Sequence, residues 1–150
     1  MFSLFKKKSF FSEQEKEEIA AAIKKAEKET SGEVRVYIES KNYLVSSLDR
    51  SKEIFFKYNM QQTAQRNAVL IYIAVLHKEV AVFADEGIYQ KLEATYWQKA
   101  VTSMVSYFKE GDIKTGLVKA IATIGETLQE KFPCSPDDKN ELPDDIIFGK

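Results

Sequence analysis

Residues 68–76 read AVLIYIAVL, nine apolar residues in succession with no alternation. A half-exposed strand alternates apolar and polar side chains, so an unbroken run of this length implies a central strand covered on both faces. Its neighbours fix the rest of the architecture. Upstream, Glu33 to Glu39 has a period of two, with Val34, Val36 and Ile38 on one side and Arg35, Tyr37 and Glu39 on the other. Between these two strands, Leu44, Leu48, Ile54, Phe55 and Tyr58 recur at helical spacing, which predicts a helix from about Ser47 to Gln62. Strand, helix, strand implies a parallel pair joined by a right-handed crossover. Downstream, His77 and Lys78 form a turn into EVAVFA, an antiparallel neighbour closed by a hairpin.

Helices account for the remainder. Ser12 and Glu15 form a capping box before Ile19, Ala22, Ile23 and Ala26, giving an amphipathic helix that ends near Gly32. After Gly87, Leu92, Trp97, Val101, Val105 and Phe108 mark one helix. Beyond the break at Gly111-Asp112, Leu117, Ile121, Ile124 and Leu128 mark another, stopped at Phe132-Pro133. About four helices around a short mixed sheet of three to four strands bury every apolar stripe when they form a three-layer α/β/α sandwich. Three segments follow: a basic and aromatic start at 1–11, one domain at 12–132, and an acidic, proline-containing strap at 133–150. Ile146, Ile147 and Phe148 give that strap the means to pack back as an extended edge segment.

Bulk properties narrow the function classes. The chain has 150 residues, 44% hydrophobic and 30% charged, with a formal net charge of −1. That suits one globular domain and gives no general attraction to nucleic acid; the one basic cluster is Lys6 to Lys8. The single cysteine, Cys134, excludes an internal disulfide and a thiolate zinc cage. No apolar run approaches the length needed to span a bilayer, and the start lacks a signal-peptide core, so a cytoplasmic location is expected. Phe2, Phe5, Lys6, Lys7 and Lys8 could make at most weak peripheral contact with an anionic membrane.

The residues that could carry chemistry are few. Asp85 and Glu86 follow the third strand, and two adjacent acids begin an oxygen cage for Ca2+ or Mg2+. Asp112, and Glu110 beside it, would join if the Gly111-Asp112 break lies close. The other reading makes Asp85 and Glu86 the start of a helix, with Gly87 relieving a tight turn. Phosphatase equipment is otherwise absent: Cys134 is followed six residues later by Asn140 rather than arginine, His77 is the sole histidine, and no glycine-rich nucleotide cradle exists. The catalytic residues are therefore unknown, no nucleotide cofactor is expected, and only a carboxylate and metal mechanism survives. The run DDKNELPDD lacks the glycine and final glutamate of an EF-hand. Tyr96, Trp97 and Phe108 are expected in the core, with a pocket lining as the alternative.

Several stretches together resemble the TPM domain family, also found in thylakoid proteins of photosystem II repair. They are ETSGEVRVYIES, RNAVLIYIA, VAVFADEGI and FKEGDIKTGLVKAI, in that order. Trp97, Gly116-Leu117, Gly125, Phe132-Pro133 and the closing NELPDDIIFG are similar to a short soluble subgroup without the membrane anchor of longer members. The resemblance implies a Rossmann-like sandwich, acid phosphatase activity as in plant members, and calcium binding through carboxylates as in some members. Two positions depart from the family pattern: Arg66-Asn67-Ala68 stands where many members have Asp-Asn-Gly, and Ala84-Asp85-Glu86-Gly87 keeps only the second glycine of the usual turn.

Two functions from different classes are consistent with these residues. One is a protein-interaction module that docks a partner, plausibly membrane-anchored, through the surface at Glu86, Gly87 and Ile88. The other is a weak divalent-metal-dependent phosphomonoesterase with Asp85, Glu86 and Asp112 as ligands.

Overall fold

The computed structural model describes residues 10–42, 45–134 and 146–148. At its centre is β2, Ala68–Ala74, whose seven residues are all buried. It pairs in parallel with β1, Glu33–Glu39, and antiparallel with β3, Glu79–Ala84. The extended edge segment of the strap is β4, Ile146–Phe148, parallel to β1, so the sheet order is β3-β2-β1-β4. The helices are α1 (Glu13–Glu27), α2 (Ser47–Lys57), α3 (Glu86–Tyr89), α4 (Ala94–Lys109) and α5 (Ile113–Lys131).

The side-chain period of two sorts each strand between two covers. Val34, Val36 and Ile38 of β1, Val69, Ile71 and Ile73 of β2, and Val80 and Val82 of β3 face α1, α4 and α5 in one core. Tyr37, Leu70, Tyr72 and Ala81 face Ile54 and Phe55 of α2 and Met60 beyond it in the other. The molecule is therefore the α/β/α sandwich, with three helices on one face and α2 on the other.

Some boundaries move from their expected places, each for a local reason. Helix α1 stops at Glu27 rather than near Gly32, because the Thr30 hydroxyl bonds to the carbonyls of Leu128 (2.9 Å) and Phe132 (2.6 Å) and ties the chain to the end of α5. Helix α2 stops at Lys57, since Asn59 adopts a left-handed φ of 56° before a 3-10 turn at Met60–Gln62. Strand β2 stops at Ala74, although Val75 and Leu76 still donate to the carbonyls of Glu39 and Ser40. Glu86–Tyr89 forms a separate turn of helix, so the described residues hold five α-helices where about four were expected. Leu48, expected on the buried side of α2, is 47% exposed, and Leu44 lies outside the described residues.

No helix among the described residues is long and apolar enough to cross a membrane. Phe2, Phe5 and Lys6 to Lys8 lie outside the described residues.

Candidate functional site

Asp85 and Glu86 lie at the carboxyl end of β3. Because β3 runs antiparallel, that end stands beside the amino ends of β1 and β2, opposite the carboxyl edge where parallel sheets usually carry their sites. The Asp85 side chain is 3% exposed. Its Oδ1 accepts from the Glu86 N–H (2.8 Å), which makes Asp85 the N-cap of α3, and from Nη2 of Arg66 (2.8 Å). Oδ2 accepts from Nε of the same guanidinium at 2.6 Å. Nη1 of Arg66 reaches Oε1 of Glu86 at 2.7 Å. One arginine thus spans both acids, and it does so from a left-handed backbone, φ 52°. The helix-start reading of Asp85 holds, with an ion pair added to it.

Gly87 has a different reason from the one expected. A Cβ there would lie 2.0 Å from the Gln65 carbonyl oxygen and 2.5 Å from that of Arg66, so the residue is small because two carbonyls press against it. Ile88 is fully buried in the core and leaves the expected interaction surface; Glu86 stays exposed. Asp112 caps α5 by accepting from the Thr115 N–H (3.3 Å), and hydrogen bonds from the Thr115 side chain and main chain hold its carboxyl below the ordinary value. Glu110 is the C-cap of α4. Among the described residues no three acids, histidines or cysteines gather as a metal cluster, so Asp85, Glu86 and Asp112 are not brought together.

A second polar centre lies at the carboxyl ends of β1 and β2. The buried Glu39 receives Nε and Nη2 of Arg50, each at 2.9 Å, and the hydroxyl of Tyr72. Burial pushes the Glu39 carboxyl up, but the hydrogen bonds from Arg50 and Tyr72 outweigh it and leave the carboxyl below its ordinary value. Burial and the same carboxylate push the Tyr72 hydroxyl up. This group joins α2 to the sheet. His77 accepts from the Asn42 N–H through Nδ1 (3.4 Å), and Cys134 is half-buried.

A feature that sequence reasoning missed is a groove of about 550 Å³ along β3. Its floor is Val80, Ala81 and Val82; α4 supplies Trp97, Gln98, Val101 and Thr102, while Ser47 and Leu48 of α2 form the opposite wall. Tyr89 stacks on Trp97 at 6.4 Å and extends the α4 wall. The Asp85 N–H donates to the Ala68 carbonyl (3.0 Å), which marks 85 and 68 as a hydrogen-bonded pair. Antiparallel pairs alternate, so Val80, Val82 and Ala84 direct their main-chain groups away from β2. β3 ends the sheet, and among the described residues no strand pairs with that outer side. Trp97 is 6% exposed, and its buried indole N–H has no acceptor among the described residues. The alternation of EVAVFA was legible; that it would form a free edge between two helices was not, because that depends on strand order.

A family model described as the TPM domain matches residues 4–127. The chain is similar to the BA42 protein of the psychrophilic bacterium Bizionia argentinensis, solved by NMR. That likeness has 36% identity and a TM-score of 0.86 over 95% of this chain and 97% of that one. Two more distant likenesses speak to the fold alone. The N-terminal domain of the cg2496 protein of Corynebacterium glutamicum is 11% identical, with a TM-score of 0.62 over 89% of this chain and 80% of that one. The N-terminal domain of a P. gingivalis protein is 12% identical, with a TM-score of 0.71 over 83% of this chain and 80% of that one. No curated protein shows a significant match.

Proposed function

The chain belongs to the TPM domain family, and on that premise we propose that it is a non-catalytic interaction module that takes an extended segment of a partner protein along the outer edge of β3. The observation that carries the reading is the groove itself: outward main-chain groups of Val80 and Val82 on the floor, between walls from α4 and α2 that include Trp97, Val101 and Leu48. Strand addition draws affinity from main-chain hydrogen bonds and specificity from pockets for alternate side chains, and this groove supplies both. Glu86, exposed at the start of α3 just beyond β3, would keep its place in the interaction surface.

A second copy of the chain fits less well, because its own β3 is recessed between the same two walls. A catalytic reading has less support, since both Asp85 oxygens and one Glu86 oxygen are already engaged by Arg66. The single cysteine, Cys134, accords with work in the reducing cytoplasm, and the basic, aromatic start suits a partner at a membrane surface.

Selection of random 12-residue peptides displayed on phage tests this directly. Binders are expected to carry alternating apolar residues and to move the amide signals of Val80, Val82, Ala84 and Gln98. Thr102→Trp, a change at an exposed position of α4, should fill the groove and weaken them about tenfold or more, as loss of a central contact does. Failure to select any binder, or binders whose shifts map to another face, would overturn the reading.

A further inference from the structure

We propose that Arg66 is the resident cation of the corner formed by Asp85 and Glu86, so that this chain does not take up there the calcium that its family resemblance implies. The proposal is independent of what the β3 groove binds. Calcium needs six to eight oxygen ligands at about 2.3–2.6 Å. Both oxygens of Asp85 are within 2.8 Å of guanidinium nitrogens, and the one Glu86 oxygen nearest Asp85's partner is bonded to the third. An ion entering this corner would have to displace three charge-assisted bonds and sit against the positive charge it displaced. Asp112, the other expected ligand, is spent on the start of α5.

The guanidinium does the work a metal would do. It neutralises two neighbouring carboxylates, one of them nearly buried, and fastens the turn two residues before β2 to the end of β3 and the first residue of α3. The surroundings stay oxygen-rich once the side chain is gone: the carbonyls of Gln65 and Arg66 both press on Gly87, next to the two acids. Arg66 already holds a left-handed backbone, which aspartate tolerates better than most residues. Replacing it with an acid should therefore convert an internally compensated corner into one that needs an external cation.

The test is an amide NMR titration with CaCl2 and with MgCl2, paired with thermal melts at matched ionic strength. In the natural chain, residues 85–87 should show no saturable shift up to about 10 mM metal, well above the range of weak calcium modules. Arg66→Asp should melt lower without metal, gain stability with calcium but not with KCl, and show saturable shifts at 85–87. A saturable shift in the natural chain overturns the proposal, as does an Arg66→Asp protein that folds and stays silent to both metals. If Arg66→Asp does not fold, Arg66→Gln carries the comparison: it should respond to calcium where the natural chain does not, and its silence would count against the proposal.

Discussion

A methyl group on residue 87 would meet the Gln65 carbonyl oxygen at 2.0 Å, and a main-chain atom cannot swing aside as the end of a long side chain can. Gly87→Ala must then push residues 65–66 away from α3, which pulls Arg66 off Asp85 at the same time. The expected cost is about 1–3 kcal/mol of stability, the usual range for overpacking, read from urea unfolding. Gly111→Ala offers a contrast: its φ is 81° but nothing lies near its absent Cβ, so its penalty is conformational strain alone. The two glycines look alike in the sequence and differ only in what surrounds them. Arg66 is similar, since its separation of nineteen residues from Asp85 carries no periodic signal that would reveal the pair.

At the scale of elements, the caps are where local sequence speaks most directly. Asp112→Ala removes the acceptor for the Thr115 N–H at the start of α5 and should lower the urea midpoint with an unchanged slope. The capping box of Ser12 and Glu15 is present as the sequence predicts, with bonds of 3.0 and 3.1 Å. So are the unbroken run of β2, the hairpin into β3 and the helix break at Gly111, because each depends on residues a few positions apart. What the sequence leaves hidden depends on strand order. Arg35 and Glu39 read as the polar face of a half-exposed strand, yet both are buried under α2 and the segment that follows it. The β3 groove is hidden for the same reason, since an edge exists only once the order β3-β2-β1-β4 is known.

For the molecule as a whole, the buried Glu39 group ties stability to pH. Its carboxyl titrates below the ordinary 4.5 when folded, so its contribution is complete above that value and is lost as pH falls through the lower folded value. Tyr72 acts in the opposite sense: its hydroxyl titrates above 10.0 when folded, and its contribution is present below 10.0 and lost as pH rises towards the folded value. Unfolding free energy should fall on both sides of a broad plateau, and Glu39→Gln should flatten the acid limb when urea curves from pH 7 to pH 3 are compared. The placement of β4 has a consequence of another kind. Strand β1 pairs with β2 soon after both exist, but its other neighbour, matched to Val36, begins only at Ile146. While the chain is being synthesised, one margin of β1 stays uncovered until residues 146–148 have left the ribosome, and in that interval it is open to pairing with a neighbouring nascent chain.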